Sequence, residues 1–154
     1  MIKPIDDFAS RLGTKISLDE TLIMNKQGRY FLLNENLKQL ASTDFFYAGT
    51  YLGKAKDGKF FPSFNLLDII AQKKANKVIV DKKTEWLFIC GRDIFKQGIT
   101  KVMGSTKRGD HVLVLNAHGE CLGFGKIQCN LDGKKGRLAV ENILDIGDFL
   151  RREK

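Results

Sequence analysis

The spacing of hydrophobic residues in the first half of the chain alternates between helical and strand-like. A first helix is predicted over residues 4–12, because Pro4 suits a first helical turn and acidic residues follow at the positive end of the helix dipole. Gly13 is well placed to end this helix. Two strands joined as a hairpin are predicted next, over residues 16–24 and 29–33.

Four further elements are predicted before residue 77. They are a helix over residues 35–41, an aromatic-rich extended segment over 45–54, its hairpin partner over 59–61, and an amphipathic helix over 64–75. Asn34 is a suitable N-cap for the first of these helices, and Asp57-Gly58 is a strong signal for a tight hairpin turn. Asn76 is expected to cap the last helix.

After Asn76 the segments become short and strand-like, with glycine at most corners. Strands are predicted over residues 77–80, 86–90, 111–115, 121–129 and 137–141, and one short helix over 93–97. Many short strands with glycine corners favour a small barrel, which leaves few exposed sheet edges. The fold class is therefore expected to be α+β, with a mixed α/β domain over residues 1–76 and a small β-barrel domain over residues 77–154.

The charge of the chain favours a polyanionic partner. The 154 residues carry 26 Lys and Arg against 18 Asp and Glu, which gives a net charge of +8. Nucleic acid is the expected partner of such a surface, ahead of an acidic membrane. We expect no membrane association, since no stretch approaches the length of a transmembrane helix and the first residues do not resemble a secretory signal peptide.

Candidate chemistry is sparse. Three cysteines without CxxC spacing favour a reduced intracellular setting over a disulfide framework. His118, Cys121 and Cys129 have no recognised metal-ligand spacing, and neither histidine is paired in sequence with a nucleophile. We therefore expect no metal, no cofactor and no catalytic activity.

Several motifs in the second half resemble a PUA domain, the module named after pseudouridine synthases and archaeosine transglycosylases. They are the segments Gly91-Arg92-Asp93-Ile94-Phe95-Lys96-Gln97-Gly98-Ile99, Gly109-Asp110-His111-Val112, Cys121-Leu122-Gly123-Phe124-Gly125-Lys126 and Asp145-Ile146-Gly147-Asp148 with the residues up to Glu153. In the first half, Ala48-Gly49-Thr50-Tyr51-Leu52-Gly53-Lys54 and Leu67-Asp68-Ile69-Ile70-Ala71 resemble the pre-PUA domain of the Nip-seven family of ribosome-biogenesis factors. The resemblance covers essentially the whole chain.

The resemblance implies a non-catalytic protein of large-subunit ribosome biogenesis and pre-rRNA processing that binds RNA through its PUA half. It brings the closing segment beside the first PUA helix and so gathers cations from distant parts of the sequence. The implied RNA-binding residues are Arg92, Lys96, Gly98, Lys101, Lys126, Arg151, Arg152 and Lys154. The compactness of the chain favours an archaeal member, which would be cytoplasmic, over a eukaryotic one in the nucleus or nucleolus.

Other interpretations stay open at this point. Lys82-Lys83 and Lys134-Lys135 are interpreted as solubilising surface charge. Most aromatic residues, Trp86 among them, are assigned to the core, with Phe60 and Phe61 as the best candidates for base stacking. The alternative function is an adaptor whose N-terminal domain docks other assembly proteins, which a large exposed apolar patch on residues 1–75 would favour. An RNA-modifying enzyme is the third possibility.

Overall fold

Two β-sheets and five α-helices make up the part of the chain that the structure describes. The computed structural model describes residues 2–39, 49–133 and 138–152. The helices are α1 (Lys3–Arg11), α2 (Glu35–Lys38), α3 (Phe64–Ala71), α4 (Lys82–Ile89) and α5 (Ile146–Arg152). The strands are β1 (Ile23–Lys26), β2 (Arg29–Leu32), β3 (Thr50–Lys56), β4 (Lys59–Pro62), β5 (Lys77–Val80), β6 (Ile94–Phe95), β7 (Ile99–Met103), β8 (His111–Leu115), β9 (Cys121–Ile127) and β10 (Leu138–Asp145).

The first sheet is an antiparallel meander of β1 to β4 in sequence order. Its two hairpins turn where glycine follows a residue with positive φ, at Gln27-Gly28 and at Asp57-Gly58, as the sequence predicts. The predicted strand over residues 16–24 is wrong for most of its length. The Asp19 side chain accepts a hydrogen bond from the Thr21 backbone, which favours a 3₁₀ turn over Glu20–Leu22 and delays β1 to Ile23.

The predicted helices of this half are confirmed, with differences at their ends. Helix α1 ends in the expected glycine, since Gly13 has a φ of +74° and its N–H donates to the Ser10 carbonyl. Asn34 caps α2 by accepting a hydrogen bond from the Leu37 backbone N–H at 2.8 Å. The predicted course of residues 40–48, which includes Phe45, lies outside the described residues.

The sequence suggested that Asn76 is a helix cap, but in the structure it joins the two halves of the chain. Helix α3 ends at Ala71, five residues earlier. The buried Asn76 side chain donates to the His111 carbonyl and accepts from the Ser105 N–H, while its backbone N–H donates to the Leu12 carbonyl. Buried polar groups need such partners, and the side-chain amide finds them in the second half while the backbone N–H finds its partner in the first.

The second sheet has the order β6-β10-β9-β8-β5-β7, with β5 and β8 parallel and the other neighbours antiparallel. Its two outermost strands, β6 and β7, are consecutive in the chain and are joined by a single 3₁₀ turn, Lys96–Gly98. Because three residues span only a short distance, the sheet has to curl until its edges approach each other. The predicted α+β class and the small barrel of the second half are thus confirmed.

Two predicted elements of the barrel are wrong. Residues 86–90 form no strand, because residues 86–89 belong to α4 and Cys90 is its C-cap. The helix begins where the Asp81 side chain accepts a hydrogen bond from the Thr84 N–H. Residues 93–97 form no helix. Ile94 and Phe95 instead pair with Val140 and Leu138 of β10, so that a two-residue strand runs into the 3₁₀ turn.

The hydrophobic core has two centres, and the larger one crosses between the halves. One cluster fills the barrel, with Val78, Phe88 and Ile127 among its fully buried members. The other joins α1 and α3 to the outside of the barrel through Leu113 and Phe124. The rings of Phe8 and Phe124 meet edge to face with their centroids 5.1 Å apart. Within the described residues, no helix is long and apolar enough to cross a membrane.

Candidate nucleic-acid interface

Helix α5 is fastened beside α4 by the side chain of Arg151. Its guanidinium donates to the Ile89 carbonyl at the end of α4, at 2.7 Å, and forms an ion pair with Asp145 at 3.1 Å. Asp145 is only 3% exposed and also accepts hydrogen bonds from the Asn142 side chain and the Asp148 backbone. The expected approach of the closing segment to the first PUA helix is therefore present, although that helix is α4 and not residues 93–97.

Arg92 and Lys96 do not lie on one helix, because the helix predicted over residues 93–97 is replaced by β6 and a 3₁₀ turn. Arg92 follows the end of α4 and is exposed, while its carbonyl accepts a hydrogen bond from the Asn142 side chain. Lys96 begins the 3₁₀ turn after β6, and its Nζ is buried without a hydrogen-bond partner among the described residues. Of the two cations, Arg92 alone is exposed to a ligand without a side-chain rearrangement.

Gly98 has a packing role. It is buried, and a Cβ at this position would overlap the hydroxyl and the Cβ of Thr84 on α4. Its carbonyl accepts a hydrogen bond from the Asp81 N–H at 3.0 Å. Gly98 thus allows the 3₁₀ turn to lie directly against the start of α4.

Lys101 and Lys126 lie on other parts of the barrel. Lys101 is exposed on the outer strand β7, opposite Ile79. Lys126 is exposed on β9, between His111 and Glu141 of the neighbouring strands. Lys126 lies near the junction of the two halves, because the carbonyl of its register partner His111 accepts a hydrogen bond from Asn76. Burial lowers the pKa of His111, and the charges of Arg11 and Lys126 lower it further.

Seven of the eight predicted residues belong to the described part of the chain, and they lie on several elements of the barrel half. Five of them belong to a region that we call the α4–α5 corner, formed by Arg92, Lys96, Gly98, Arg151 and Arg152. Lys101 and Lys126 lie on β7 and β9, and Lys154 is outside the described residues. The assignment of these residues to RNA binding stays a prediction.

Sequence reasoning missed Trp86, which it placed in the core. The side chain is 68% exposed on α4. The sequence contained a signal for this, because Asp81 is a suitable N-cap for a helix over the residues that follow it. In a helix, Thr84 and Phe88 lie one turn apart on one face, and Trp86 lies on the opposite face. Lys82 and Lys83, one turn before Trp86, are exposed as well.

The described residues offer little for catalysis. They contain no group of three or more His, Cys, Asp or Glu side chains that could hold a metal ion. Burial raises the pKa of the Cys121 thiol to about 12, which opposes formation of a nucleophilic thiolate at neutral pH. The described residues that line an open depression at the end of α1 are Ser10, Gly13, Thr14, Lys15 and Lys74, none of which has a carboxylate, imidazole or thiol.

The family model described as the UPF0113 PUA domain matches residues 76–154, half of the chain. The chain belongs to the UPF0113 PUA-domain family. A UPF0113 protein of Archaeoglobus fulgidus is 29% identical over 114 residues, which cover 70% of this chain and 63% of that protein. A 60S ribosome subunit biogenesis protein NIP7 homolog of Dictyostelium discoideum is 30% identical over 112 residues, which cover 68% of this chain and 62% of that protein. The matches thus span less than two thirds of either relative and confirm the resemblance to the Nip-seven family.

Two solved structures share the fold of this UPF0113 chain over nearly its whole length. A conserved PUA domain protein from Thermoplasma acidophilum superposes with a TM-score of 0.59 at 24% identity, covering 96% of this chain and 90% of that one. A PUA domain from Aeropyrum pernix K1, solved as a tartrate complex, gives a TM-score of 0.62 at 20% identity and covers 97% and 85%. At these identities the likeness shows the fold alone.

Proposed function

We propose that this chain is a non-catalytic RNA-binding factor in biogenesis of the large ribosomal subunit and in pre-rRNA processing. The observation that carries the proposal is membership of the UPF0113 PUA-domain family together with a relative named for 60S subunit biogenesis. The net charge of +8 supports a polyanionic partner. In an archaeal cell this function belongs to the cytoplasm, and in a eukaryotic cell to the nucleus or nucleolus.

The RNA is proposed to lie on the basic surface of the PUA half, at the α4–α5 corner. Arg92 is exposed there, and the Arg151 guanidinium is held in place while 46% of the side chain stays exposed. A cation that is already ordered loses less conformational entropy on binding, and the planar fork of arginine suits phosphate oxygens. Phosphate contacts supply affinity, while unpaired bases and RNA shape add limited specificity.

The proposal that the protein is not an enzyme has separate support. The two curated relatives are named without an enzymatic activity. The described residues contain no group of three or more His, Cys, Asp or Glu side chains that could hold a metal ion, and burial opposes formation of a Cys121 thiolate. Neither observation favours hydrolysis or base modification. RNA binding without catalysis is therefore the simpler function.

The adaptor alternative has weaker support in the N-terminal half. Among described residues 2–39 and 49–75, Phe61 is the one large hydrophobic side chain that is strongly exposed to solvent, at 54%. The other large hydrophobic side chains that are exposed among the described residues belong to the barrel half, where they are Trp86, Phe95, Leu138, Ile143 and Ile146. Protein partners among assembly or RNA-processing factors are still proposed. The described part of the first half, however, shows no large exposed apolar patch that would support the proposal.

The test is the salt dependence of binding to single-stranded RNA. Arg92→Ala combined with Arg152→Ala removes two predicted phosphate contacts and leaves the Arg151 ion pair intact. Each lost contact is expected to shallow the slope of log affinity against log salt by about 0.7, so the double variant is expected to lose about 1.4. The loss is expected to be similar for unrelated sequences, because phosphate contacts do not read bases.

The matched control is Lys56→Ala combined with Lys59→Ala. These two lysines are exposed cross-strand neighbours in the β3–β4 hairpin of the other half, and their removal changes the net charge by the same amount. Equal losses in the two double variants would show that net charge alone drives binding and that the α4–α5 corner is not the RNA surface. A wild-type protein that binds no RNA at low salt would refute the proposed function itself.

A further inference from the structure

The outer face of helix α4 is exposed to solvent and includes an aromatic side chain. Thr84 and Phe88, one turn apart, are buried against the barrel. The opposite face carries Lys82, Lys83, Trp86 and Cys90, all exposed. The Cys90 N–H donates to the Trp86 carbonyl at 3.1 Å, so the helical geometry continues through this face.

Trp86 is the most exposed of the large hydrophobic side chains in the described part of the chain. An indole is the largest apolar side chain, and leaving it in water forgoes the stabilisation that its burial would supply. Its high exposure therefore has no packing explanation in the fold. An exposed aromatic ring on a helix is suited to stack on an unpaired base.

The charged side chains on the outer face of α4, beside Trp86, are lysines. Lys82 and Lys83 precede it by four and three residues and so lie on the same side of the helix. The two carboxylates of α4 and its N-cap have other partners, and Asp93, beyond the end of the helix, accepts a hydrogen bond from the Asn142 backbone N–H. Asp81 accepts the hydrogen bond of the Thr84 N–H that caps α4, and Glu85 accepts one from the Asn116 side chain at 3.2 Å.

The other end of the same face leads into the α4–α5 corner. Arg92 is exposed two residues after Cys90, and Arg151 donates to the carbonyl of Ile89 in the last turn of α4. Cys90 lies eight residues after Lys82, which corresponds to a rise of about 12 Å along a helix axis. Cations thus lie on α4 before the exposed ring of Trp86, at Lys82 and Lys83, and beyond the end of the helix after it, at Arg92.

We infer that Trp86 is a stacking platform for an unpaired base of single-stranded RNA, with Lys82 and Lys83 on one side and Arg92 on the other holding the flanking phosphates. This inference rests on the proposed function and names the surface on which it is carried out. An aromatic ring between cations is the arrangement by which proteins bind single strands, because stacking accepts any base and the cations follow the backbone. An apolar protein partner would bury the same lysines without supplying opposite charge, which is costly.

The sequence itself provides the probe. Trp86 is the single tryptophan of the chain, so emission excited at wavelengths that tyrosine does not absorb reports this side chain alone. We expect a ten-nucleotide oligouridylate to quench the emission, and a ribose-phosphate chain of equal length without bases to quench it far less. Direct stacking on the ring would cause this difference, because both chains carry the same charge.

Substitution measures the strength of the contact. Trp86→Ala is expected to weaken oligouridylate binding by about 5- to 100-fold, since a stacked base contributes roughly that much on alanine substitution. Trp86→Phe keeps a ring and is expected to recover most of the affinity. The salt slope of Trp86→Ala is expected to equal that of the wild type, because no phosphate contact is removed. Circular dichroism and the urea midpoint check that the exposed side chain can be removed without unfolding.

Phe61→Ala is the matched control, because Phe61 is an exposed ring beside lysines in the other sheet. Equal losses from Phe61→Ala and Trp86→Ala would overturn the assignment to α4. Wild-type affinity in Trp86→Ala would overturn the inference and leave the proposed function standing, whereas no RNA binding by the wild type would remove both. A wild-type dimer in sedimentation that Trp86→Ala dissociates, with RNA binding unchanged, would assign this face to a second copy of the chain and also overturn the inference.

Discussion

At the scale of single residues, Arg151 combines a structural task with a proposed binding task. Its guanidinium satisfies the Ile89 carbonyl at the end of α4 and is the cationic partner of the buried Asp145 carboxylate. A cation is favourable at a helix C-terminus, where carbonyl groups lack helical partners. Loss of RNA binding in an Arg151 variant alone would therefore not distinguish a lost phosphate contact from a displaced α5.

Arg151→Ala is expected to lower the free energy of unfolding by about 1–3 kcal/mol, because it removes charge-assisted hydrogen bonds from a carboxylate that stays buried. Urea unfolding followed by circular dichroism measures the change. Arg92→Ala, which removes an exposed arginine from the same corner, is expected to stay within about 0.5 kcal/mol of the wild type. The same urea midpoint for Arg151→Ala and Arg92→Ala would contradict the anchoring role of Arg151.

At the scale of elements, the barrel depends on the turn that joins its two outermost strands. Lys96–Gly98 carries the chain from β6 directly into β7, and the Gly98 carbonyl accepts the Asp81 N–H at the start of α4. The close contact between Gly98 and Thr84 leaves no room for a Cβ. This turn fixes both the curl of the sheet and the position of α4, on which the proposed RNA surface lies.

Gly98→Ala is expected to destabilise the protein by about 1–3 kcal/mol, the usual cost of forcing an extra methyl group into a filled site. Combining it with Thr84→Ala removes the hydroxyl that the new methyl group would meet. The cost of the double variant is then expected to be smaller than the sum of the two single costs, measured as a coupling energy by urea unfolding. Strict additivity would show that Thr84 does not restrict position 98.

At the scale of the whole molecule, the two predicted domains share hydrophobic core. Leu113 of β8 and Phe124 of β9 point out of the barrel and belong to the cluster built around α1 and α3. The barrel also has a buried cluster of its own, with Val78, Phe88 and Ile127. The division near residue 76 stays a prediction, and the shared cluster determines what a separated barrel would lose.

Residues 77–154 alone are expected to fold, because the barrel cluster lies within that segment. The fragment is expected to unfold at a lower urea concentration than the full chain, since Leu113 and Phe124 become exposed. Far-UV circular dichroism with urea titration measures both properties. A spectrum of an unfolded chain would refute the division, and a midpoint equal to that of the full chain would show that the first half contributes nothing to barrel stability.

The sequence by itself determined the features that depend on near neighbours. Both tight hairpin turns, the Gly13 end of α1 and the Asn34 cap of α2 follow from backbone preferences and short-range hydrogen bonds, and the motifs of the second half were enough to identify the family. Tertiary structure decided what depends on partners far along the chain. Ile94 and Phe95 form a strand because β10 pairs with them, and Asn76 serves as a junction because His111 and Ser105 surround it.

The candidate site divides in the same way. The types of residue and their charges could be read from the sequence, as could the approach of the closing segment to the first PUA helix. The sequence did not show that the Nζ atom of Lys96 is buried, that Arg151 forms an ion pair with Asp145, or that Trp86 faces solvent. Exposure depends on which elements cover a side chain, and hydrophobic spacing within a single segment does not contain that information.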